Sequence, residues 1–258
     1  MSIRSGWTPI LAGLAALALA QEAAAGDFYL TGNIAISTGT GESGGETEFF
    51  QNTGSDTDAA PAYGGAVGFG FELGEAVPRT WRMPVPGWGV RFEFEGMTGR
   101  EYELLTEGGD GYISEVKAWT FMPNLWIDVP LHAPIAWAFG RIPILEPLTL
   151  YTGAGCGLST VDLDTTDNVS EGHRSQFLFG WQAGIGLGYE LTQRVTLTAG
   201  YRYVDLGDAK VTLRIPPSED AFGSFRMDMT AHEFNAGVRV NFWSIPYPEK
   251  WAIRFDAR

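Results

Sequence analysis

A two-residue period dominates this sequence and runs straight through its glycines. In "FLFGWQAGIGLGYEL", residues 177–191, one face carries Phe177, Phe179, Trp181, Ala183, Ile185, Leu187 and Tyr189. The other carries Gln176, Gly180, Gln182, Gly184, Gly186, Gly188 and Glu190. A phosphate cradle needs a strand, a glycine-rich turn and a helix N-terminus in succession. Uninterrupted alternation is instead the mark of a β-strand with two different faces.

The same period recurs in "DFYLTGNIAIS", "AYGGAVGFGFEL", "WGVRFEFEG", "VKAWTFMPNLWIDV", "LTLYTGAGCGLS", "VTLTAGYRY" and "AHEFNAGVRVNF". Each stretch is long enough for a tilted bilayer span of roughly ten residues. The fourth is the least regular, because Lys117 and Pro123 fall on its apolar face. The connections alternate in character. Residues 38–60, "TGREYELLTEGGDG", "TVDLDTTDNVSEGHR" and "DLGDAKVTLRIPPSEDAFGSFRMD" are long, polar and acidic. Residues 74–87, residues 130–147 and "LTQR" are tighter or Pro-rich. The reading is an all-β, antiparallel up-and-down transmembrane β-barrel of about eight strands. "VTLRI" and "SFRMD" extend strands 7 and 8 as a hairpin beyond the membrane, with ten strands as the rival count.

Alternation does not say which face is inside. A soluble lipocalin-like barrel puts the apolar face inward, and a membrane barrel puts it outward. Glycine is concentrated on the polar faces, which suits a crowded lumen, whereas bare solvent-facing glycine weakens a strand. Aromatic residues sit toward the ends of the apolar faces: Tyr63, Trp88, Trp119, Tyr189, Tyr201, Tyr203 and Phe242, as an interfacial girdle requires. Ahead of the strands, Arg4, the apolar "WTPILAGLAALALA" and the small-residue "EAAAG" read as a secretory signal peptide over residues 1–25. The barrel is assigned to residues 26–242 and a periplasmic tail to residues 243–258.

An eight-stranded lumen is just wide enough for side chains, so its charges must pair. The lumen-phase charges are Glu72, Arg91, Glu93, Glu95, Asp128, Glu190, Arg202, Glu233 and Arg239. Arg202 and Glu233 stand at similar heights on neighbouring strands and are expected to form a direct pair. Arg239 is expected to reach Glu93 or Glu72. A net charge of −14 argues against nucleic acid as a partner. Cys156 is the only cysteine, so there is no disulfide framework. Three scattered histidines make no metal site, and "DLDTTD" lacks the glycine and distant glutamate of a calcium loop. His132 and His173 are placed in connections, and no serine partners His232. No cofactor and no enzymatic activity are expected.

"GYRYVDLG", "HEFNAGVRVNF", "YTGAGCGLS" and "MPNLWIDVP" resemble the small eight-stranded outer-membrane barrels. These include opacity-type adhesins, the barrel of outer-membrane protein A and the porin-family proteins of alphaproteobacteria. The resemblance spans roughly residues 27–242. It implies the outer membrane of a Gram-negative bacterium, with lipopolysaccharide and the barrel assembly machinery as partners. It implies a structural role in envelope integrity, with surface interaction through mobile acidic loops that meet host or cell-surface ligands. A narrow gated pore and a soluble periplasmic lipocalin-like barrel are the alternatives. Such barrels commonly end on a C-terminal Phe; here "WSIPYPEKWAIRFDAR" follows Phe242.

Overall fold

The computed structural model describes residues 26–47, 51–72, 88–106, 111–132, 140, 142–167, 169–216 and 221–245. The proposed leader, the connection at 74–87 and the tail from residue 246 lie outside the described residues. Eight strands follow one another: β1 (Gly26–Thr47), β2 (Gln51–Glu72), β3 (Gly89–Thr106), β4 (Tyr112–Pro130), β5 (Leu148–Thr166), β6 (Glu171–Glu190), β7 (Val195–Arg214) and β8 (Ala221–Ile245). Each pairs antiparallel with the next, and β8 closes the ring on β1, from Gly26↔Ile245 to Thr47↔Gly223. The rival count of ten strands is therefore out. β8 also runs three residues past Phe242, so Trp243, Ser244 and Ile245 are wall and not tail.

The face assignment follows directly from exposure. Leu30, Ile34, Val67, Phe94, Phe121, Leu125, Leu158, Phe179, Ile185, Phe234 and Val238 are all exposed on the outer surface. Arg91, Glu93, Glu95, Asn124, Gln182, Arg202 and Glu233 are buried inside. Cys156 is exposed on the outer surface as well. The soluble lipocalin-like alternative, which needs the opposite sense, is overturned by this outward apolar band. Rings cluster at both borders of the band. At the end bearing Gly26 and Ile245 (the lower end), Phe28 lies 4.9 Å from Phe69 and 6.0 Å from Trp243. Toward the hairpin tips (the outer end), Tyr201 lies 5.4 Å from Phe234, and Trp181 lies 5.3 Å from Tyr203.

The strands are far longer than one bilayer crossing needs. β1 and β2 have 22 residues each, which at about 3.3 Å per residue and a tilt of about 40° rise roughly 55 Å. The expected mobile connection at 38–60 is mostly strand, as are 100–106, 160–166 and 205–214. Along this outer half the pattern inverts. Tyr102, Leu104, Val116, Val161, Leu163, Leu206, Val211, Leu213, Phe225, Met227 and Met229 now point inward and form a closed apolar core. Thr57, Glu101, Glu103, Lys117, Asp164 and Lys210 point outward. Lys117 is anomalous only if β4 is read as lipid-facing throughout; it stands beyond the apolar band.

Two glycines re-phase the wall. Gly99 (φ 84°) and Gly207 (φ 89°) sit at register shifts, between Met97 and Arg100 on β3 and between Asp205 and Gly207 on β7. A positive φ is open to glycine at little cost, and a bulge there adds one residue to the strand. Just beyond these bulges the wall loses its ladder on two opposite sides. β2 and β3 pair only from Tyr63↔Thr98 to Glu72↔Gly89. Above that, the Asp58 and Asp56 carboxylates accept from the Glu103 and Leu105 amides at 2.9 and 2.7 Å. β6 and β7 pair from Trp181↔Asp205 to Glu190↔Thr196 and again only at Glu171↔Arg214. Between, Arg174 donates to the Lys210 carbonyl and the Lys210 amide donates to Gln176, both at 3.3 Å. The outer half is thus two four-stranded sheets, β3–β6 and β7–β8–β1–β2, packed face to face on an apolar core. That is a β-sandwich continuous with a barrel.

Candidate functional site

The lumen inside the apolar band is filled by two charge groups, one above the other. In the upper one, Glu233 on β8 is the hub. Its carboxylate takes Arg100 Nε at 2.6 Å, Arg202 Nε at 2.5 Å and Ser37 Oγ at 2.8 Å. Arg202 and Glu233 are direct register partners on β7 and β8. Arg202 Nη1 continues to Glu95 at 2.8 Å, and Gln182, Asn124 and Asn33 also donate to Glu95. In the lower group, Arg91 grips Asp128 with Nε and Nη2 at 2.6 and 3.0 Å and reaches Glu93 at 3.1 Å. Tyr29 donates to Glu93 at 3.0 Å.

Several expected members stand elsewhere. Arg239 does not pair with Glu93 or Glu72. Its guanidinium lies over the Tyr29 ring, 5.5 Å from the centroid, with Asp128 as its ion-pair partner at 3.9 Å. The reason is occupancy, since Arg91 and Tyr29 already hold Glu93. Glu72 and Glu190 are exposed at the lower mouth, where they line a vestibule of about 520 Å³ with Glu146 and His132. Arg100 is a member that period-2 reading misses. It sits one residue past the Gly99 bulge, which turns it from the outer face to the inner one, and it is fully buried. The signal was "TGRE": a glycine breaking the phase ahead of a basic residue. Of the girdle residues, Tyr63 and Phe242 are exposed, Trp119 is just beyond a third exposed, and Trp88, Tyr189, Tyr201 and Tyr203 are half-buried.

The formal charges cancel: Arg91, Arg100, Arg202 and Arg239 against Glu93, Glu95, Asp128 and Glu233. The space left among them is about 40 Å³, room for a water or two. Directly above lies the apolar core, in which Met229, Leu206 and Val204 are fully buried. An ion crossing the lumen would have to break an ion-pair layer and then enter hydrocarbon-like packing, each a large desolvation cost.

Outside, the sandwich is charged. Arg226 pairs with Asp208 through Nε at 2.9 Å, and its hydrogen bond holds the Asp208 carboxyl below the usual range. Asp228 moves the other way: partial burial and the nearby Asp208, Asp205 and Glu42 raise it. At the tip of the β5–β6 hairpin, partial burial of Asp167 is outweighed by the Ser170 and Val169 amides, which hold its carboxyl down. His173, expected in a connection, is on β6, and its Nδ1 lies 2.5 Å from Asp164 Oδ1 on β5. Among the described residues no cluster of His, Cys, Asp and Glu has the form of a metal site.

A family model described as outer membrane protein beta-barrel domain matches residues 9–242. Among solved structures the chain is similar to Neisserial surface protein A, at 18% identity and a TM-score of 0.44, covering 83% of this chain and 97% of that one. It is similar to the outer membrane protein OprG from Pseudomonas aeruginosa, at 15% identity and a TM-score of 0.45, covering 86% and 99%. A major outer membrane protein from Thermus thermophilus follows at 12% identity and a TM-score of 0.40, covering 82% and 99%. No curated protein matches the chain.

Proposed function

We infer the role of this chain from the family it belongs to, the outer membrane protein beta-barrel domain family, and from the filled state of its lumen. It resides in the outer membrane of a Gram-negative bacterium. We propose that it is a structural barrel that holds a rigid acidic β-sandwich above the outer leaflet, supporting envelope integrity and surface interaction. The observation that carries this reading is the electroneutral charge layer capped by a closed apolar core. A lumen sealed twice leaves the outer surface as the working part. Lipopolysaccharide fits beside the aromatic border, where Lys210, Arg226 and Arg174 stand outward. Phe242, exposed on the last strand, fits recognition by the assembly machinery.

Planar-bilayer recording tests the reading against the narrow gated pore. Wild type and Glu233→Gln are both expected to be silent. A wild-type conductance that changes in Glu233→Gln supports the pore instead. Trimming the β1–β2 hairpin beyond residue 38 should reduce cell attachment while leaving heat-modifiable gel migration intact. Unchanged attachment removes the surface-interaction half of the proposal.

A further inference from the structure

The charge layer and the apolar core close the lumen from above, but the lower mouth beneath them is open. The vestibule there has a volume of about 520 Å³, within the range of small-molecule sites. One cation at its inner end is poorly partnered. Arg91, Arg100 and Arg202 each donate to a carboxylate at 2.6 Å or less. Arg239 does not. Its ion-pair partner Asp128 stands 3.9 Å away, already gripped by Arg91, and among the described residues its buried Nη1 has no hydrogen-bond partner. The guanidinium is nevertheless held in place. It lies over the Tyr29 ring, whose hydroxyl donates to Glu93. Stacking uses a face of the guanidinium and leaves its edge donors for a planar carboxylate.

A second unsatisfied donor stands in the same row. Arg239 on β8 has Thr31 on β1 and Thr196 on β7 as its register partners. Among the described residues the buried Thr31 hydroxyl also has no hydrogen-bond partner. Thr31 and Arg239 line the cavity of about 40 Å³, while Arg239 and Thr196 line the vestibule, so this row lies where the two spaces adjoin. On the β6 side Gly188 puts no side chain against Nη2; a methyl group there would stand 4.0 Å from it. A guanidinium and hydroxyls in one row are donors suited to a carboxylate. The surrounding charge selects what carries that carboxylate. Arg91 and Arg239 are already balanced by Glu93 and Asp128, so a bare anion would leave this group one charge negative. Asp27, Glu72 and Glu190, close to the lower ends of β1, β2 and β6, line the vestibule with Glu146 and His132. A ligand that brings its own cation satisfies both regions. Asp27 lies four residues below Thr31 on β1, roughly 13 Å along the strand. An α-amino acid is too short for that interval. Three extended residues reach about 10 Å, and the protein side chains at each end close the rest.

We propose that the lower vestibule binds a short peptide with both ends charged, its carboxylate on Arg239 and Thr31 and its ammonium group beside Asp27. The ligand enters from the periplasm and leaves the same way, because the ion-pair layer above the site is closed. The site is separate from the outer sandwich and gives a binding role to a barrel that does not conduct.

The test uses the full chain refolded in nonionic detergent micelles, with trialanine as probe and chemical-shift titration of the labelled protein as readout. Trialanine should bind saturably and shift the signals of Thr31 and Arg239. Trialanine amide, which lacks the carboxylate, and alanine alone, which lacks the length, should bind about 10-fold more weakly or worse. N-acetyl-trialanine, which lacks the ammonium group, should bind about 3-fold more weakly or worse. Arg239→Met should lower trialanine affinity about 10-fold or more, and Thr31→Val about 3-fold or more. Asp27→Asn should weaken trialanine and leave N-acetyl-trialanine unchanged. Heat-modifiable migration verifies that each variant is folded, and Thr31→Val and Asp27→Asn carry the test if Arg239→Met does not fold. The proposal is overturned by no binding of trialanine to folded wild type, by equal binding of trialanine and its amide, by alanine binding as tightly as trialanine, or by trialanine affinity that the folded variants leave unmoved.

Discussion

The hub position of Glu233 makes a quantitative prediction. Glu233→Gln keeps the shape of the side chain and an acceptor for Ser37, but removes the charge shared by two buried arginines. Arg202 retains Glu95 at 2.8 Å. Arg100 retains only the Thr120 hydroxyl at 3.1 Å, and its Nη2 has no hydrogen-bond partner. Breaking a buried pair from one side leaves an uncompensated charge at about 3–5 kcal/mol. Because Arg202 stays partnered, the lower end of that range, about 3 kcal/mol, applies. Replacing the orphan as well, in Glu233→Gln with Arg100→Met, removes the stranded charge. The double variant should return to within about 1 kcal/mol of wild type, a coupling of at least about 2 kcal/mol once the cost of Arg100→Met alone is included. Urea titration in phospholipid vesicles, read by tryptophan fluorescence and by migration of unheated samples, measures all four corners of the cycle. A single variant within about 1 kcal/mol of wild type, or costs that simply add, refutes the argument that Arg100 depends on Glu233.

Other perturbations follow from the same structure. Gly207→Val should cost about 1–2 kcal/mol or more, because φ is +89° and a β-branched side chain is strained there; the same urea titration reads it. Met229→Ala, at a fully buried site of the sandwich core, should destabilise by about 2–5 kcal/mol without producing bilayer current. Leu125→Arg, on the lipid face, should cost about 2–4 kcal/mol in vesicles if it lies near the midplane and far less in detergent. Asp208 and Asp228 should respond with opposite signs. The lowered carboxyl of Asp208 contributes stability above its unfolded value that is lost as pH falls through its folded value, so Asp208→Asn destabilises at neutral pH. The raised carboxyl of Asp228 works against the fold once ionised, so Asp228→Asn stabilises at neutral pH, and salt shrinks the gain. Thermal melts at pH 7 with low and high salt check both.

The membrane half of this fold is readable in the sequence because lipid enforces one sign. Phe177, Phe179, Ile185 and Leu187 can face only hydrocarbon, and the glycines opposite leave space for Arg202 and Trp126. The outer half is hidden by the reversal of solvent. Thr57, Glu103 and Lys210 face water there, so the strands look like polar connections, and the alternate Val161, Leu163 and Val211 pass as incidental. Arg100 and His173 escape a sequence reading for related reasons. Arg100 follows a bulge that no alternation count anticipates, and His173 lies on a strand segment whose outward face is polar. The partner of Arg239 is not legible either, because alternation gives the face but not the tilt, and the tilt decides which carboxylate lies across the lumen.

The bulges at Gly99 and Gly207 have a consequence for variation. Each shifts the reading frame of its strand by one position, so the segments above and below are phased independently. Straightening the Gly99 bulge with every residue kept would put Arg100, Tyr102 and Leu104 toward solvent and Glu101 and Glu103 into the core, whereas deleting Gly99 removes the extra residue and leaves Arg100 inward opposite Ala118. With the bulge in place, however, the outer sandwich can be exchanged or lengthened in pairs of residues without disturbing the membrane ring. The two glycines act as splice joints between a conservative anchor and an interchangeable head.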